Sequence, residues 1–273
     1  MPELDSGGVK TYYEDSGSGP SLVLVHGLGA STALWSKVAP ELAKEFRLVT
    51  YDLRGSGRTP ATGSTTLSEL VDDLRRLVAE LDLGPSLVMG HSIGGSVALA
   101  HAAAHPEQVR AVVGIGAPSG LPAAGRDGMR TRAETVETSG MEAVAETVAT
   151  NGMAPSFREA QPDELRGFVS LLEGNDPASY AALCRVVADV DIVVELPRIA
   201  VPALLVAGAL DAVVPPDANE ANAARMPNAR AVTVDDSAHL LPWEKPDVLL
   251  AIALPFLREA AAVGRPSTPA KPP

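Results

Sequence analysis

The sequence has a single cysteine and an excess of acidic over basic residues. Cys184 alone excludes an intramolecular disulfide and leaves no cysteine pair with metal-ligand spacing. Lys and Arg number 22 against 34 Asp and Glu, which gives a formal net charge of -12 and a pI near 4.9. Because affinity for phosphate backbones comes from clustered basic residues, we expect no nucleic-acid partner.

Membrane and export signals are also missing. The longest apolar stretches, such as VLLAIALPFL, are too short to span a bilayer. The opening stretch MPELDSGGVK has neither the basic region nor the apolar region of a secretory signal. We therefore expect a soluble cytoplasmic protein without membrane contact. With 46% hydrophobic and 21% charged residues in a chain of 273, a sizeable core is available.

Short apolar runs alternate with helical patterns along most of the chain. The runs SLVLVHG, FRLVTYD, PSLVMG, VRAVVGIGA, PALLVAGALD and ARAVTVD each predict a buried strand. Their nearly continuous hydrophobicity is typical of parallel strands covered on both faces. The stretch VKTYYEDSGSGP predicts an edge strand and a turn. A helix is predicted in TLSELVDDLRRLVAELDLG, beginning at a capping box of Thr66 and Glu69.

The alternation stops after residue 120. Residues 121–196 have the pattern of helices with polar faces, which predicts a helical cap inserted into the sheet domain. Residues 1–120 and 197–262 then form the core, and the Pro-rich residues 263–273 predict a disordered tail. The predicted fold class is α/β, with a mostly parallel central sheet flanked by helices.

The stretch MGHSIGGSVALAHAAAHP places a serine among glycines between a predicted strand and a predicted helix. Gly90, Ser92 and Gly94 form the pattern G-x-S-x-G. At a sharp strand-to-helix turn this pattern lifts the serine hydroxyl out of the sheet, and the glycines permit the tight backbone. The pattern also occurs by chance, and a nucleophilic serine requires a base and an acid that orients the base.

Two later loops supply these partners. Asp211 follows a predicted strand in VAGALDAVVPP, and His239 follows the next strand in DSAHLLPW. Open α/β sheets collect their sites at the carboxyl ends of strands, where all three loops meet. The order serine, aspartate, histidine along the chain predicts a catalytic triad of Ser92, Asp211 and His239.

A developing oxyanion also needs hydrogen-bond donors. The backbone N–H of Ile93 follows the nucleophile directly, and the N–H of Leu28 follows the first buried strand. These two groups are the predicted oxyanion hole.

The sequence resembles the α/β-hydrolase superfamily. The blocks HGLGAS, YDLRGSGRT, GHSIGG, GALDAVVP and SAHLLPWEKPD match its recurrent blocks in order, over residues 21–258. The resemblance implies the same triad and oxyanion amides, a cap, a small-molecule substrate, and no metal or organic cofactor. The stretch from DPASYAALC to ALDAVVPP is similar to the 3-oxoadipate enol-lactone hydrolase group. We therefore expect a serine hydrolase of small, mostly apolar esters or lactones.

Other functions stay open on the same scaffold. Carbon-carbon bond hydrolases and cofactor-free haloperoxidase-like enzymes share these blocks and would use His239 as the main base, and a hydrolase-like ligand receptor is a further alternative. A dinucleotide-binding fold is disfavoured because Thr32 stands at the third small position of GLGAST. Asp52 and Arg54 are better interpreted as ordering their own loop. The sequence leaves a homodimer open.

Several further side chains are candidates for the substrate pocket. His91 adjoins the nucleophile, and Trp243 follows the predicted base closely, although a tryptophan commonly fills core. Arg126, Arg130 and Arg132 cluster where the predicted cap begins. Solvated helix faces are their default interpretation, and the functional alternative is that one of them pairs with a substrate carboxylate.

Two histidines and the cysteine have structural interpretations. His101 and His105 have the spacing of two metal ligands on a helix, but no third ligand accompanies them, so packing or exposure is expected. Cys184 lies among alanines on a predicted helix and is expected to be a small buried residue.

Overall fold

The computed structural model describes residues 2–61, 63 and 65–262, and eight of its segments are strands. They are β1 (Glu3–Asp5), β2 (Lys10–Ser16), β3 (Ser21–Val25), β4 (Arg47–Tyr51), β5 (Ser86–His91), β6 (Val109–Ile115), β7 (Ala203–Gly208) and β8 (Ala229–Val234). One sheet contains all eight, in the order β1-β2-β4-β3-β5-β6-β7-β8. The pairs β1/β2 and β2/β4 are antiparallel, and every other pair is parallel. The mostly parallel α/β sheet is therefore confirmed.

The antiparallel edge differs from the sequence prediction. The stretch VKTYYEDSGSGP forms β2, but β2 lies inside the sheet between β1 and β4. The edge is the three-residue β1, in which Leu4 pairs with Thr11. A strand this short has too few residues to show an alternating pattern, so no sequence pattern predicts it.

Eleven α-helices lie in the described residues. They are α1 (Ala39–Leu42), α2 (Leu67–Glu80), α3 (Ile93–Ala104), α4 (Ala123–Ser139), α5 (Ala145–Gly152), α6 (Pro155–Ala160), α7 (Pro162–Glu173), α8 (Pro177–Asp189), α9 (Pro216–Ala223), α10 (Leu241–Glu244) and α11 (Pro246–Ala262). The predicted capping box opens α2: the Thr66 hydroxyl accepts the Glu69 N–H, and the Glu69 carboxylate accepts the Thr66 N–H.

The central strands of the sheet are buried on both faces. In β3, Leu22 and Leu24 pack with Trp35 in one apolar layer, whereas Val23 and Val25 pack in the opposite layer with α2 and α3. All six residues of β5 and all six of β7 are buried. Alternate side chains of one strand thus fill two cores, which is why β3, β5 and β7 have no exposed face.

A helical segment separates β6 from β7. Helices α4 to α8 fill residues 123–189, with α4 packed against α8 and α5 packed against α7. We call this segment the helical insertion. Residues 263–273, for which a disordered tail is predicted, lie outside the described residues. Within the part of the chain that is described, no helix is long and apolar enough to cross a membrane.

Candidate active site

Ser92 sits at a strained turn between β5 and α3. Its backbone has φ 54° and ψ -125°, a conformation that L-residues with side chains rarely adopt. The Ser92 N–H donates to the carbonyl of Ile115 at 2.8 Å, which fixes the turn to β6. A Cβ on Gly94 would lie 2.3 Å from the carbonyl oxygen of Val25, so only glycine fits there. The turn holds the serine at the carboxyl edge of the sheet, and its side chain reaches a cavity.

His239 and Asp211 form a buried pair beside this turn. The His239 ring donates from Nδ1 to Asp211 Oδ2 at 2.8 Å. The other carboxylate oxygen of Asp211 accepts the N–H groups of Val213 and Val214 at 2.8 and 2.9 Å. Burial alone would raise the pKa of Asp211, but His239 and these hydrogen bonds hold that pKa below its usual range. An ionised Asp211 fixes the imidazole with its Nε2 available for a proton.

One cavity of about 240 Å³ brings the predicted nucleophile and base together. Ser92 and His239 both line it, beneath the helical insertion. Much of the remaining wall is apolar: Leu28, Met129, Val148, Phe168, Val187 and Leu240. Among the described residues, no hydrogen bond joins the Ser92 hydroxyl to His239. Catalytic hydrogen bonds of this kind are often long without substrate and tighten when it binds.

The predicted oxyanion donors lie at the same place. The N–H groups of Leu28 and Ile93 donate to no acceptor within the described residues, so both are available to a ligand. His26 orders the loop that carries Leu28, because its Nδ1 donates to the Gly27 carbonyl at 2.8 Å and its Nε2 accepts the Leu53 N–H at 2.9 Å.

Gly116 is a site residue that sequence reasoning missed. It follows β6 with φ +52°, and a Cβ there would lie 3.0 Å from both Asp211 Oδ2 and His239 Nδ1. A side chain at this position would press directly on the pair. The stretch GIGAPSG shows a glycine after a strand, but nothing in it points to a partner nearly a hundred residues later.

His91 lies at the cavity wall, where the sequence suggested a pocket residue. Its Nε2 donates to the carbonyl oxygen of His239 at 2.8 Å, and the two ring centroids are 4.9 Å apart. Burial, aided by the neighbouring His239, lowers the pKa of His91 to about 3. A neutral His91 therefore holds the backbone of the predicted base.

The arginine and tryptophan candidates divide differently from the prediction. Arg126 donates to the Leu121 carbonyl, Arg130 pairs with Asp189 at 2.8 Å, and neither lines the cavity. Arg132 does line the cavity. It lies two positions after Arg130 on α4, so its side chain points about 200° away from that of Arg130. Trp243 is also absent from the cavity lining and packs behind it, with its ring 5.3 Å from Phe168.

Arg132 is the only Lys, Arg, Asp or Glu among the described residues that line the cavity. The lining contains no Asp or Glu, and within the described residues no carboxylate forms an ion pair with Arg132. Its neighbours are Tyr180 and Cys184, whose pKa values burial raises to about 12 although Arg132 acts in the opposite direction. Both neighbours stay neutral at pH 7, so the guanidinium charge is not compensated locally.

Asp52 and the two helix histidines have structural environments. Asp52 accepts the N–H groups of Thr32 and Arg58 at 2.7 and 2.8 Å, so it orders its own loop. The rings of His101 and His105 lie 5.3 Å apart, and the described residues contain no group of three potential metal ligands.

Arg54 and Cys184 are similarly placed by packing. Arg54 binds the carboxylate of Asp73 on α2 at 2.7 Å, which ties the same loop to that helix. Cys184 is a free thiol and fully buried.

Comparison with protein families shows which family the chain belongs to. The model of an alpha/beta hydrolase family matches residues 22–252. The chain belongs to the α/β-hydrolase family. Its relatives and structural neighbours include hydrolases, among them an esterase and an enol-lactonase, and this α/β hydrolase is an enzyme.

Three similar proteins illustrate the relationship. A 3-oxoadipate enol-lactonase of Acinetobacter baylyi is 26% identical, over 88% of this chain and 89% of its own. A pimeloyl-[acyl-carrier protein] methyl ester esterase of Aromatoleum aromaticum is 31% identical, over 81% of this chain and 91% of its own. The crystal structure of an enol-lactonase from Burkholderia xenovorans superposes with a TM-score of 0.90 at 27% identity, covering 94% of this chain and all of that one. The resemblance to enol-lactonases is thus confirmed at the level of relatives.

Proposed function

We propose that this α/β hydrolase cleaves a small carboxylic ester or lactone through an acyl-enzyme formed on Ser92. The observation that carries the proposal is the buried hydrogen bond from His239 to Asp211, at the cavity that Ser92 enters from its strained turn. A relative named as a lactonase and another named as a methyl ester esterase support the same reaction class.

The geometry supports the following steps. The Ser92 oxygen attacks the carbonyl carbon while His239 Nε2 takes the hydroxyl proton, and Asp211 stabilises the imidazolium that forms. The N–H groups of Leu28 and Ile93 hold the developing oxyanion. The tetrahedral intermediate expels the alkoxide, which receives the proton from His239. Water, deprotonated by His239, then attacks the acyl carbon and releases the acid and the free serine.

The helical insertion acts as a cap in this proposal and selects the substrate. A cavity of about 240 Å³ with apolar walls suits a small molecule. Arg132 adds one uncompensated positive charge to this wall, and guanidinium groups bind carboxylates through paired hydrogen bonds. The favoured substrate is therefore an ester or lactone that also carries a carboxylate.

Trapping of the acyl-enzyme tests the reaction class. The protein is mixed with p-nitrophenyl butyrate, quenched in acid within milliseconds and analysed by intact-mass spectrometry. We expect a burst of p-nitrophenolate and one butyryl group on Ser92, with neither in Ser92→Ala. If the folded wild type neither hydrolyses a range of short esters nor acquires an acyl group from them, the proposal is wrong, and the carbon-carbon hydrolase, oxygenase or receptor alternatives gain weight.

A further inference from the structure

The loop that carries His239 is attached to the helical insertion by a buried carboxylate. Glu244, in α10, is 6% exposed. Its Oε2 accepts the N–H of Ala154 at 2.7 Å, and its Oε1 accepts the N–H of Ala238 at 3.0 Å. Ala154 leads into α6 of the insertion, and Ala238 immediately precedes His239. One side chain thus joins the two segments.

Two backbone N–H donors compensate the buried Glu244 carboxylate. Within the described residues Glu244 forms no ion pair, and its one further hydrogen-bond partner is the Ser237 hydroxyl, which donates to Oε1 at 3.4 Å. Burial raises the pKa of Glu244, while the bonds from Ala154 and Ala238 act in the opposite direction. A buried charge is costly, but removing it would leave two buried N–H groups without an acceptor. An amide offers one oxygen and cannot replace both contacts.

A second contact reinforces the same junction. The Leu240 N–H donates to the carbonyl of Gly152 at 2.8 Å, and a Cβ on Gly152 would lie 2.8 Å from the Leu240 side chain. On the other side, His91 donates to the His239 carbonyl. The backbone around His239 is therefore held from the core by His91 and from the insertion by residues 152–154.

We propose that Glu244 is a positioning residue: its carboxylate clamps the backbone beside the catalytic base to the helical insertion, so that the insertion supports the base as well as enclosing the substrate. This inference rests on the proposed function, because it assigns His239 the role of base. It predicts that loosening the insertion at Ala154 displaces the imidazole and slows chemistry without weakening substrate binding.

Two variants break the clamp from opposite sides. Glu244→Gln leaves one N–H without an acceptor. Ala154→Pro removes the N–H donor on the insertion side. Proline suits the φ of -60° at that position and the extended backbone of Met153 before it. Ser156→Ala is the matched control, since it removes only an exposed hydrogen bond from the same insertion segment to Asp236.

Hydrogen exchange and kinetics give separate readouts. In both clamp variants we expect faster amide exchange in residues 150–156 and 236–241 together. With p-nitrophenyl butyrate we expect kcat to fall about tenfold or more while KM changes less than about twofold. Ser156→Ala should match the wild type in both measurements. If Glu244→Gln fails to fold, Ala154→Pro carries the test.

The outcomes separate the clamp from the reaction itself. If the wild type hydrolyses the ester and a folded clamp variant has the same kcat, the clamp is overturned and the proposed function stays intact. Faster exchange in only one of the two segments also overturns it, because a clamp must release both. A wild type that hydrolyses no ester overturns the proposed function, and the positioning role of Glu244 falls with it.

Discussion

The strand ends and the helical insertion contribute to the cavity in different ways. At the strand ends, backbone geometry fixes the proposed catalytic groups: Ser92 stands on a turn that only its glycine neighbours permit, and Asp211 is held by two N–H groups. In the insertion, side chains such as Arg132 and Phe168 decide what fits. In the proposed function, the reaction therefore depends on tight local backbone geometry, and substrate choice depends on how the helices of the insertion pack.

We expect the largest loss of activity when the proposed nucleophile at the strand ends is removed. Ser92→Ala should lower kcat for any accepted ester by about 10⁴-fold or more, because the acyl-enzyme cannot form. Steady-state assays with p-nitrophenyl butyrate measure this. A residual kcat within tenfold of the wild type, with contaminating esterase excluded by the purity of the preparation, contradicts a nucleophilic serine.

The next effect tests how closely the backbone fits the acid and base. Gly116→Ala introduces a Cβ 3.0 Å from Asp211 Oδ2 and His239 Nδ1, at a positive φ. We expect kcat to fall about tenfold to one hundredfold as the pair is displaced. Gly128→Ala, on α4 where a Cβ meets nothing within 4 Å, is the control and should leave kcat unchanged. Equal kcat in the two variants contradicts the tight fit.

The third effect moves to the insertion and separates binding from chemistry. Arg132→Gln should raise KM for mono-p-nitrophenyl succinate about tenfold to one hundredfold and change KM for p-nitrophenyl butyrate little, because only the first carries a carboxylate. Arg130→Gln, two residues away and paired with Asp189 outside the cavity, is the matched control. Similar effects of Arg132→Gln on both substrates remove the carboxylate from the proposal.

The smallest effect concerns pH and the buried core. Burial lowers the pKa of His91 and His101 to about 3, against 6.5 for an ordinary histidine. The unfolded chain therefore takes up protons below about pH 6.5 that the folded protein does not, so stability falls as the pH is lowered from there towards 3. His101→Leu should reduce the loss of Tm between pH 7 and pH 5. An unchanged loss shows that His101 does not titrate as described.

The strand-end half of the site follows from sequence patterns that act locally. Apolar runs predict the parallel strands, and a serine between glycines at a strand-to-helix junction predicts the turn. The order of Ser92, Asp211 and His239 then predicts which loops meet. Each inference uses neighbours in sequence or a known order of strands, and the structure places the three loops at one cavity.

The insertion half could not be predicted in the same way. Arg126, Arg130 and Arg132 look equivalent in the sequence, and only the rotation of α4 over α8 decides which one reaches the cavity. In the sequence Glu244 looks like an ordinary helix residue. Its role depends on a hydrogen bond from Ala154, which lies 90 positions earlier in the chain. Such contacts depend on how distant helices pack, and no local pattern encodes that packing.

The most direct test of the account is labelling with a small fluorophosphonate followed by intact-mass analysis and peptide mapping. We predict a single adduct on Ser92, absent in Ser92→Ala and formed far more slowly in His239→Ala, because the hydroxyl reacts only when the buried pair activates it. A folded wild type that stays unlabelled by fluorophosphonates small enough to enter the cavity, or that is labelled at another residue, would contradict the account.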